Sequence, residues 1–157
     1  MHAIAAERTI HTLEITKEDQ IAAPVDIVFE TLLEHLGPNN ETGPDSPLPM
    51  KLEAWPGGRW YRDLGNNTGH FWGHVQVIKP PVLLEICGPL CMSYPAANHV
   101  QYRLRAEGGI THLSLIHRAI GQITPDHRDT MPGGWAHELS KIREAAERRY
   151  RSAAAGR

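Results

Sequence analysis

The sequence predicts an α+β protein in which one long C-terminal helix closes a curved antiparallel sheet of about seven strands. Three features of the 157 residues carry this prediction. Residues 50–120 are short apolar stretches separated by turn signals, which is typical of an antiparallel meander. Residues 99–117 form a hairpin around two adjacent glycines. Residues 135–149 then form an amphipathic helix, which we expect to cover the concave face of the sheet.

The chain begins with a predicted strand and a predicted helix. Residues 9–21 are the strand, and Pro24 opens the helix at a position where the missing N–H of proline is not needed. The apolar face of this helix has helical spacing and consists of Val25, Val28, Leu32 and Leu36. Gly37 and Pro38 end the helix.

Residues 37–49 contain four prolines and two glycines, so we predict a loop without regular structure. A loop of this length inside one domain is often a lid or a binding loop. The sequence does not decide between a lid and a simple surface connection.

The remaining strands and helices follow from turn and cap signals. We predict strands at residues 50–55, 59–64, 69–79, 82–88, 98–106 and 110–120. Thr124 and Pro125 predict the start of a short helix. Met131-Pro-Gly-Gly134 predicts a break before the final helix. The buried stripe of that final helix is Trp135, Leu139, Ile142 and Ala146.

Composition bounds the function. A formal net charge of -2 argues against nucleic acid or an anionic membrane as a partner, and no apolar run is long enough to span a bilayer. No signal peptide is recognisable, so we expect a cytoplasmic location, where Cys87 and Cys91 are reduced thiols. One domain is predicted at residues 9–151, with flexible termini at 1–8 and 152–157. Whether the chain forms a homodimer stays open.

Strand alternation predicts which side chains face the helix. Leu64 and Phe71 are predicted to face inward, whereas Trp72 and Ile78 are predicted to face outward. The predicted cavity is lined by Trp60, Arg62, Val75, Ile86, Asn98, Tyr102, Leu115, His117, Trp135, Leu139 and Ile142.

Four of these predicted cavity residues are polar, and buried polar groups need partners. His117 titrates near neutrality unless it is perturbed, so it could bind or protonate a ligand, or it could be a structural histidine. The same two interpretations apply to Asn98 and Tyr102, and Arg62 could reach water at the rim.

No metal site or cofactor is expected. His70 and His74 are four residues apart on one strand, about 13 Å between Cα atoms, which is too far for two ligands of one zinc. His137-Glu138 resembles the start of a zinc-protease motif, but Lys141 occupies the position of the second histidine.

Four segments resemble the START-like, or SRPBCC, helix-grip superfamily, which includes Bet v 1-like proteins. Within it the chain is similar to the bacterial branch named after the activator of Hsp90 ATPase homologue 1. The segments are Ile21-Ala-Ala-Pro-Val-Asp-Ile-Val-Phe29, Pro56-Gly-Gly-Arg-Trp60, Gly73-His-Val-Gln-Val-Ile-Lys-Pro-Pro-Val-Leu-Leu84, and Gly109-Ile-Thr-His-Leu-Ser-Leu-Ile-His117 with Gly133-Gly-Trp135. The resemblance implies a cavity between sheet and helix that holds lipids, polyketide-like or aromatic molecules. Relatives often carry a tryptophan early in the loop after the first helix. This chain does not, which predicts a differently built pocket mouth.

Three functions are compatible with the sequence. The first is a module that binds a small hydrophobic or aromatic molecule in the cavity. The second is a cyclase- or dehydratase-like enzyme in which His117 is the acid or base and Tyr102 or Arg62 orients the substrate. The third is a co-chaperone-like interaction protein, for which Trp72 and Ile78 are the candidate outer surface.

Overall fold

A computed structural model describes residues 2–156 of the chain. Its elements are β1 (His11–Ile21), α1 (Val25–Leu36), β2 (Glu41–Gly43), β3 (Ser46–Pro47), β4 (Lys51–Leu52), β5 (Arg59–Gly65), β6 (Thr68–Lys79), β7 (Leu83–Gly88), β8 (Ala96–Glu107), β9 (Ile110–Gly121) and α2 (Pro125–Ala155). Neither described helix is long and apolar enough to cross a membrane.

The predicted fold class is confirmed. Seven antiparallel strands form one sheet in the order β1-β9-β8-β7-β6-β5-β4, and β2 and β3 form a separate small hairpin. Helices α1 and α2 pack on each other, and α2 also packs on β1. The core between sheet and helices contains Ile21, Leu32, Leu84, Leu113 and Ile142, all fully buried.

Helix α2 differs from the prediction because it is one continuous helix from Pro125 to Ala155. The Thr124 hydroxyl caps its start by accepting a hydrogen bond from the His127 N–H at 3.2 Å. The predicted break at residues 131–134 is wrong, and Pro132 lies inside the helix. Proline and glycine lower helix propensity, but burial of the stripe that begins at Trp135 outweighs a local preference of this size.

The predicted loop at residues 37–49 is also partly regular. Residues 41–43 and 46–47 pair as the β2–β3 hairpin, and Asp45 in its turn has a φ of 56°, a left-handed conformation that aspartate tolerates. Edge strands tolerate proline when its missing N–H is not needed for pairing, which is why Pro47 can lie in β3.

Bulges in β6 break the strict alternation on which the inward and outward assignments rested. Trp60 pairs with Gly73 and Tyr61 with Phe71, so Trp72 is an extra residue between two pairs. A second shift between Val75 and Val77 places Ile78 opposite the buried Leu84. Trp72 and Ile78 therefore pack against the core, and their predicted outward orientation is wrong.

The end of the β5–β6 hairpin lies outside the core. Leu64 and Phe71 were predicted to face inward but are 52% and 43% exposed. Within residues 2–156, neither helix packs extensively on β5 or β6, so the far end of this hairpin has no apolar surface to cover it.

The chain termini were predicted to be flexible. Their flexibility stays a prediction; residues 152–155 continue α2, and residues 2–10 form no regular element. The parts of that prediction that concern residues 1 and 157 lie outside the described residues.

Candidate functional site

A pocket of about 460 Å³ opens between the β2–β3 hairpin and the first half of α2, above β5 and β6. This volume lies within the range of small-molecule sites. Its apolar and aromatic wall consists of Leu48, Trp60, Trp72, Met131 and Trp135, and its polar lining includes Asn40, Glu41, Cys91, His127, His137 and Glu138. Gly133 and Gly134 of α2 lie at its mouth and are exposed.

A larger depression of about 860 Å³ is lined by side chains of β1, β8 and β9, including Glu18, Arg103, Arg105 and His112. Most of its lining side chains are charged or polar, and within residues 2–156 none of them lies on a helix or on the β2–β3 hairpin. The pocket under the β2–β3 hairpin has both an enclosing element and an aromatic wall, so it is the better candidate for a ligand site.

Two tryptophans form the sheet side of the pocket. The Trp60 indole N–H donates to the Leu36 carbonyl at 2.7 Å, which ties the ring to the end of α1. Trp72 meets it edge to face, with ring centroids 5.0 Å apart and an interplanar angle of 77°, an arrangement that aromatic pairs favour. The bulge in β6 brings Trp72 to this wall, which is why strict alternation did not predict it.

His117 lies below the pocket in a closed hydrogen-bond network. Its Nδ1 accepts from the Trp135 indole N–H at 3.0 Å. Because an indole N–H can only donate, the proton of the neutral ring is on Nε2, which donates to the Asn98 side-chain oxygen at 2.7 Å. The Asn98 amide in turn donates to the Pro89 carbonyl at 3.2 Å.

Burial lowers the pKa of His117 to about 4, because the charged imidazolium loses its hydration. His117 is therefore neutral at physiological pH. An acid or base role would require one of the two hydrogen bonds to break, and the geometry supports a structural role.

Glu138 is the acidic group on the helix side of the pocket. Its Oε2 accepts a hydrogen bond from the Tyr102 hydroxyl at 3.0 Å. Burial raises the pKa of the Glu138 carboxyl to about 7, although the hydrogen bond from Tyr102 acts in the opposite direction. Burial and the neighbouring Glu138 raise the pKa of Tyr102 well above its ordinary value. Tyr102 thus keeps its phenolic proton, while the carboxyl of Glu138 gains or loses its proton near neutral pH.

The β2–β3 hairpin is joined to α2 by a second acidic group. The His137 Nε2 lies 2.7 Å from a Glu41 carboxylate oxygen, and both side chains retain some exposure. This contact holds the hairpin over the pocket, although exposed pairs of this kind contribute no more than about 1 kcal/mol.

A cysteine and a histidine face each other on the third side of the pocket. The Cys91 sulfur lies 3.9 Å from His127 Nε2, and the Tyr94 hydroxyl lies 2.6 Å from His127 Nδ1. Partial desolvation raises the pKa of the Cys91 thiol, although the residue keeps exposed surface, so the thiol form predominates and nucleophilic activation is not favoured.

The cavity residues predicted from sequence fall into three groups. Trp60 and Trp135 line the pocket. Eight others are in the packed core, each at most 4% exposed: Val75, Ile86, Asn98, Tyr102, Leu115, His117, Leu139 and Ile142. The placement of Arg62 is corrected, because Arg62 lies in a surface groove with Tyr61, Asp63 and Asn66, where β5 extends past the helices.

Sequence reasoning missed Glu138, the residue with the most unusual environment in the pocket. A signal was available, because Glu138 follows Trp135 by three residues and precedes Leu139 on the same helix. Residues three apart on a helix share a face, so a carboxylate beside the buried stripe indicates a partly buried acid.

Comparisons with known proteins show the fold alone. No family model and no curated protein matches the chain. An uncharacterised protein from Rhizobium leguminosarum has a similar structure, with a TM-score of 0.70 and 18% identity over 91% of this chain and 99% of that chain. CalU16 from Micromonospora echinospora has a TM-score of 0.59 and 22% identity, covering 97% and 98%.

DynU16, a protein of the dynemicin biosynthetic locus, has a TM-score of 0.61 and 16% identity, covering 85% of this chain and 47% of that chain. These similarities agree with the helix-grip architecture. At such identities they do not extend to a ligand or an activity.

Proposed function

We propose that this protein binds a small hydrophobic or aromatic molecule in the pocket between the β2–β3 hairpin, β5–β6 and α2. The observation that carries the proposal is the aromatic wall of three tryptophans, Trp60, Trp72 and Trp135, around about 460 Å³. A pocket with an apolar wall and a few polar groups is the usual form of a small-molecule site.

The mouth of the pocket supports the same proposal. An added Cβ at Gly133 or Gly134 would contact nothing within 4 Å, so neither glycine is required by packing. Glycine lowers helix stability by about 1 kcal/mol relative to alanine. Two adjacent glycines at this position leave the mouth unobstructed.

The other two hypotheses have less support. An enzyme using His117 would need a free ring nitrogen, and both nitrogens of this residue have partners. The interaction hypothesis expected Trp72 and Ile78 to form an outer surface. Both side chains instead pack against the core of residues 2–156. A ligand of aromatic or polyketide-like character, which the resemblance of the sequence to the START-like superfamily implies, would suit the aromatic wall of this pocket.

Gly134→Leu is expected to abolish binding of 2-naphthalenemethanol while leaving the fold intact. The leucine side chain would project into the mouth of the pocket, and the fold would be up to about 1 kcal/mol more stable because leucine favours helix. Binding is measured by quenching of tryptophan fluorescence, and stability by thermal denaturation.

Ala136→Leu is the matched control, since Ala136 is exposed on the same helix and does not line the pocket. It should bind the probe like the wild type. Equal binding by the wild type and Gly134→Leu would place the probe elsewhere and overturn the proposed site.

Ligand protection of Cys91 gives an independent measurement. Cys91 is exposed and lines the pocket, so bound 2-naphthalenemethanol should slow its alkylation by iodoacetamide several-fold in a Cys87→Ser background. An unchanged alkylation rate at a probe concentration that saturates the fluorescence change would contradict binding in this pocket.

A further inference from the structure

We propose that the pocket selects an organic cation, a protonated amine carried on a flat aromatic body, with the free carboxylate oxygen of Glu138 as its anchor. This inference rests on the proposed function, since it names the class of ligand that the same pocket would take. It depends on the charges of the lining, the hydrogen bonds of Glu138 and the aromatic wall.

The lining carries negative charge without a permanent positive charge. Glu41 and Glu138 contribute carboxylates, and among residues 2–156 no lysine or arginine lines the pocket. Glu41 is already joined to His137. Glu138 is therefore the carboxylate whose charge is left for a ligand.

One oxygen of Glu138 is available. Its Oε2 accepts from Tyr102, and within the part of the chain that the structure describes its Oε1 has no hydrogen-bond partner. No side-chain oxygen or nitrogen in that part is both fully buried and without a partner, so Oε1 retains accessible surface. Because Glu138 is a pocket-lining residue, we assign that surface to the pocket.

The aromatic wall suits the same ligand. A cation within about 6 Å of a tryptophan face is attracted by the ring quadrupole, most strongly where water is excluded. Trp60 and Trp135 are almost fully buried, and Trp72 is half-buried beside them. A flat aromatic body would contact these rings while its ammonium group reaches Glu138.

Charge complementarity predicts an order of affinity. A hydrogen bond between an ammonium group and a carboxylate has charge on both partners, whereas an alcohol that donates to the same carboxylate has charge on the acceptor alone. A neutral alcohol could still donate to Oε1 but would gain less. A carboxylate ligand would be repelled by Glu138 and would have no cationic partner among the described lining residues.

The pocket should also respond to pH through Glu138. The titratable groups around it are Tyr102 on β8, the His137–Glu41 pair between α2 and β2, and His127 with Cys91 across the pocket. At acidic pH Glu138 takes up a proton and loses its attraction for an ammonium group, so amine affinity should fall while alcohol affinity stays constant.

The test compares three ligands of nearly the same shape: 2-naphthylmethylamine, 2-naphthalenemethanol and 2-naphthoate. Titration calorimetry at about pH 8, where Glu138 is ionised, should give the order amine, alcohol, carboxylate. The amine is expected to bind at least about ten-fold more tightly than the alcohol. Lowering the pH to about 6 should remove most of that advantage.

Two variants assign the preference to Glu138. Glu138→Gln should abolish the advantage of the amine, because the amide keeps the size and an acceptor oxygen of the carboxyl but carries no charge. Glu144→Gln removes the same charge from an exposed position on α2 and should keep the advantage.

The outcomes separate the two proposals. Equal affinity of amine and alcohol in the wild type, or an amine preference that survives in Glu138→Gln, overturns the cation inference and leaves the binding pocket standing. Failure of all three ligands to bind the wild type overturns both proposals.

Discussion

Replacing His117 with alanine is expected to lower the free energy of unfolding by about 4 kcal/mol. The substitution removes the acceptor of the Trp135 indole N–H and the donor to the Asn98 oxygen. Both remaining groups are buried, and an unsatisfied buried polar group costs about 1–3 kcal/mol. The space left by the imidazole adds a further penalty.

Urea denaturation at neutral pH measures this loss. His112→Ala is a matched control, because His112 is on the same strand, faces the other side of the sheet and pairs with the exposed Glu107 at 2.8 Å. A pair of that kind contributes less than about 1 kcal/mol, so the control should unfold close to the wild type.

His117→Gln provides a second comparison. Its amide oxygen can accept from Trp135 and its amide N–H₂ can donate to Asn98, so part of the lost stability should return. A loss of less than about 1 kcal/mol in His117→Ala would show that the network is not structural, and the catalytic interpretation of His117 would regain support.

Sequence reasoning located most strands because the information for them is local. The hairpin of β8 and β9 was predicted within two residues at each end, since its alternation and its glycine turn are both short-range signals. Leu115 and Ile142, which were predicted to line the cavity, lie on buried inward faces of their elements for the same reason, although they belong to the packed core and not to the pocket lining.

The structure differs from the sequence prediction where contacts between distant elements, and not the local sequence, determine the conformation. The continuity of α2 through Pro132 and the pairing of β2 with β3 both depend on neighbouring elements rather than on local propensity. Trp72 was misplaced by one extra residue in β6, because a bulge reverses the face of every residue beyond it. Part of the pocket wall, Trp72 above all, is therefore formed by residues that strict periodicity could not assign.

Glu138→Gln is expected to make the protein more stable at neutral pH and to change how stability depends on pH. The pKa of Glu138 is raised by burial from 4.5 to about 7. Between these values the unfolded chain has released the proton and the folded chain still holds it, so stability falls as pH rises. The loss is about 3 kcal/mol once the pH exceeds both values.

His117 has the opposite effect over nearly the same range. Burial lowers its pKa from 6.5 to about 4. In that window the unfolded chain holds the proton and the folded chain does not, so stability rises with pH. The contributions of Glu138 and His117 therefore cancel between about pH 4.5 and 6.5 in the wild type.

The Glu138→Gln variant removes the contribution of Glu138 and leaves that of His117. Glu138→Gln should lose about 3 kcal/mol on acidification through the window, because only the effect of His117 is left. Other ionised groups, such as Glu53 with a pKa of about 2, titrate alike in both proteins. The difference in the free energy of unfolding between the variant and the wild type therefore reports the contribution of Glu138 alone.

Urea midpoints measured from about pH 4 to about pH 9 give the measurement. The difference should be small at the acid end, grow through neutrality and then stay constant at about 3 kcal/mol. Glu144→Gln should show a difference of less than about 1 kcal/mol that does not change with pH. A pH-independent difference for Glu138→Gln would mean that Glu138 is ionised throughout and is not desolvated in the folded protein.

The desolvation of the Glu138 carboxylate, which lowers stability, also affects ligand binding. A buried carboxylate that destabilises the folded chain at neutral pH is stabilised when an ammonium group replaces its lost hydration. Saturating 2-naphthylmethylamine at about pH 8 should therefore raise the unfolding midpoint of the wild type more than that of Glu138→Gln. 2-Naphthalenemethanol should raise both midpoints equally, because it carries no charge to offset that of Glu138.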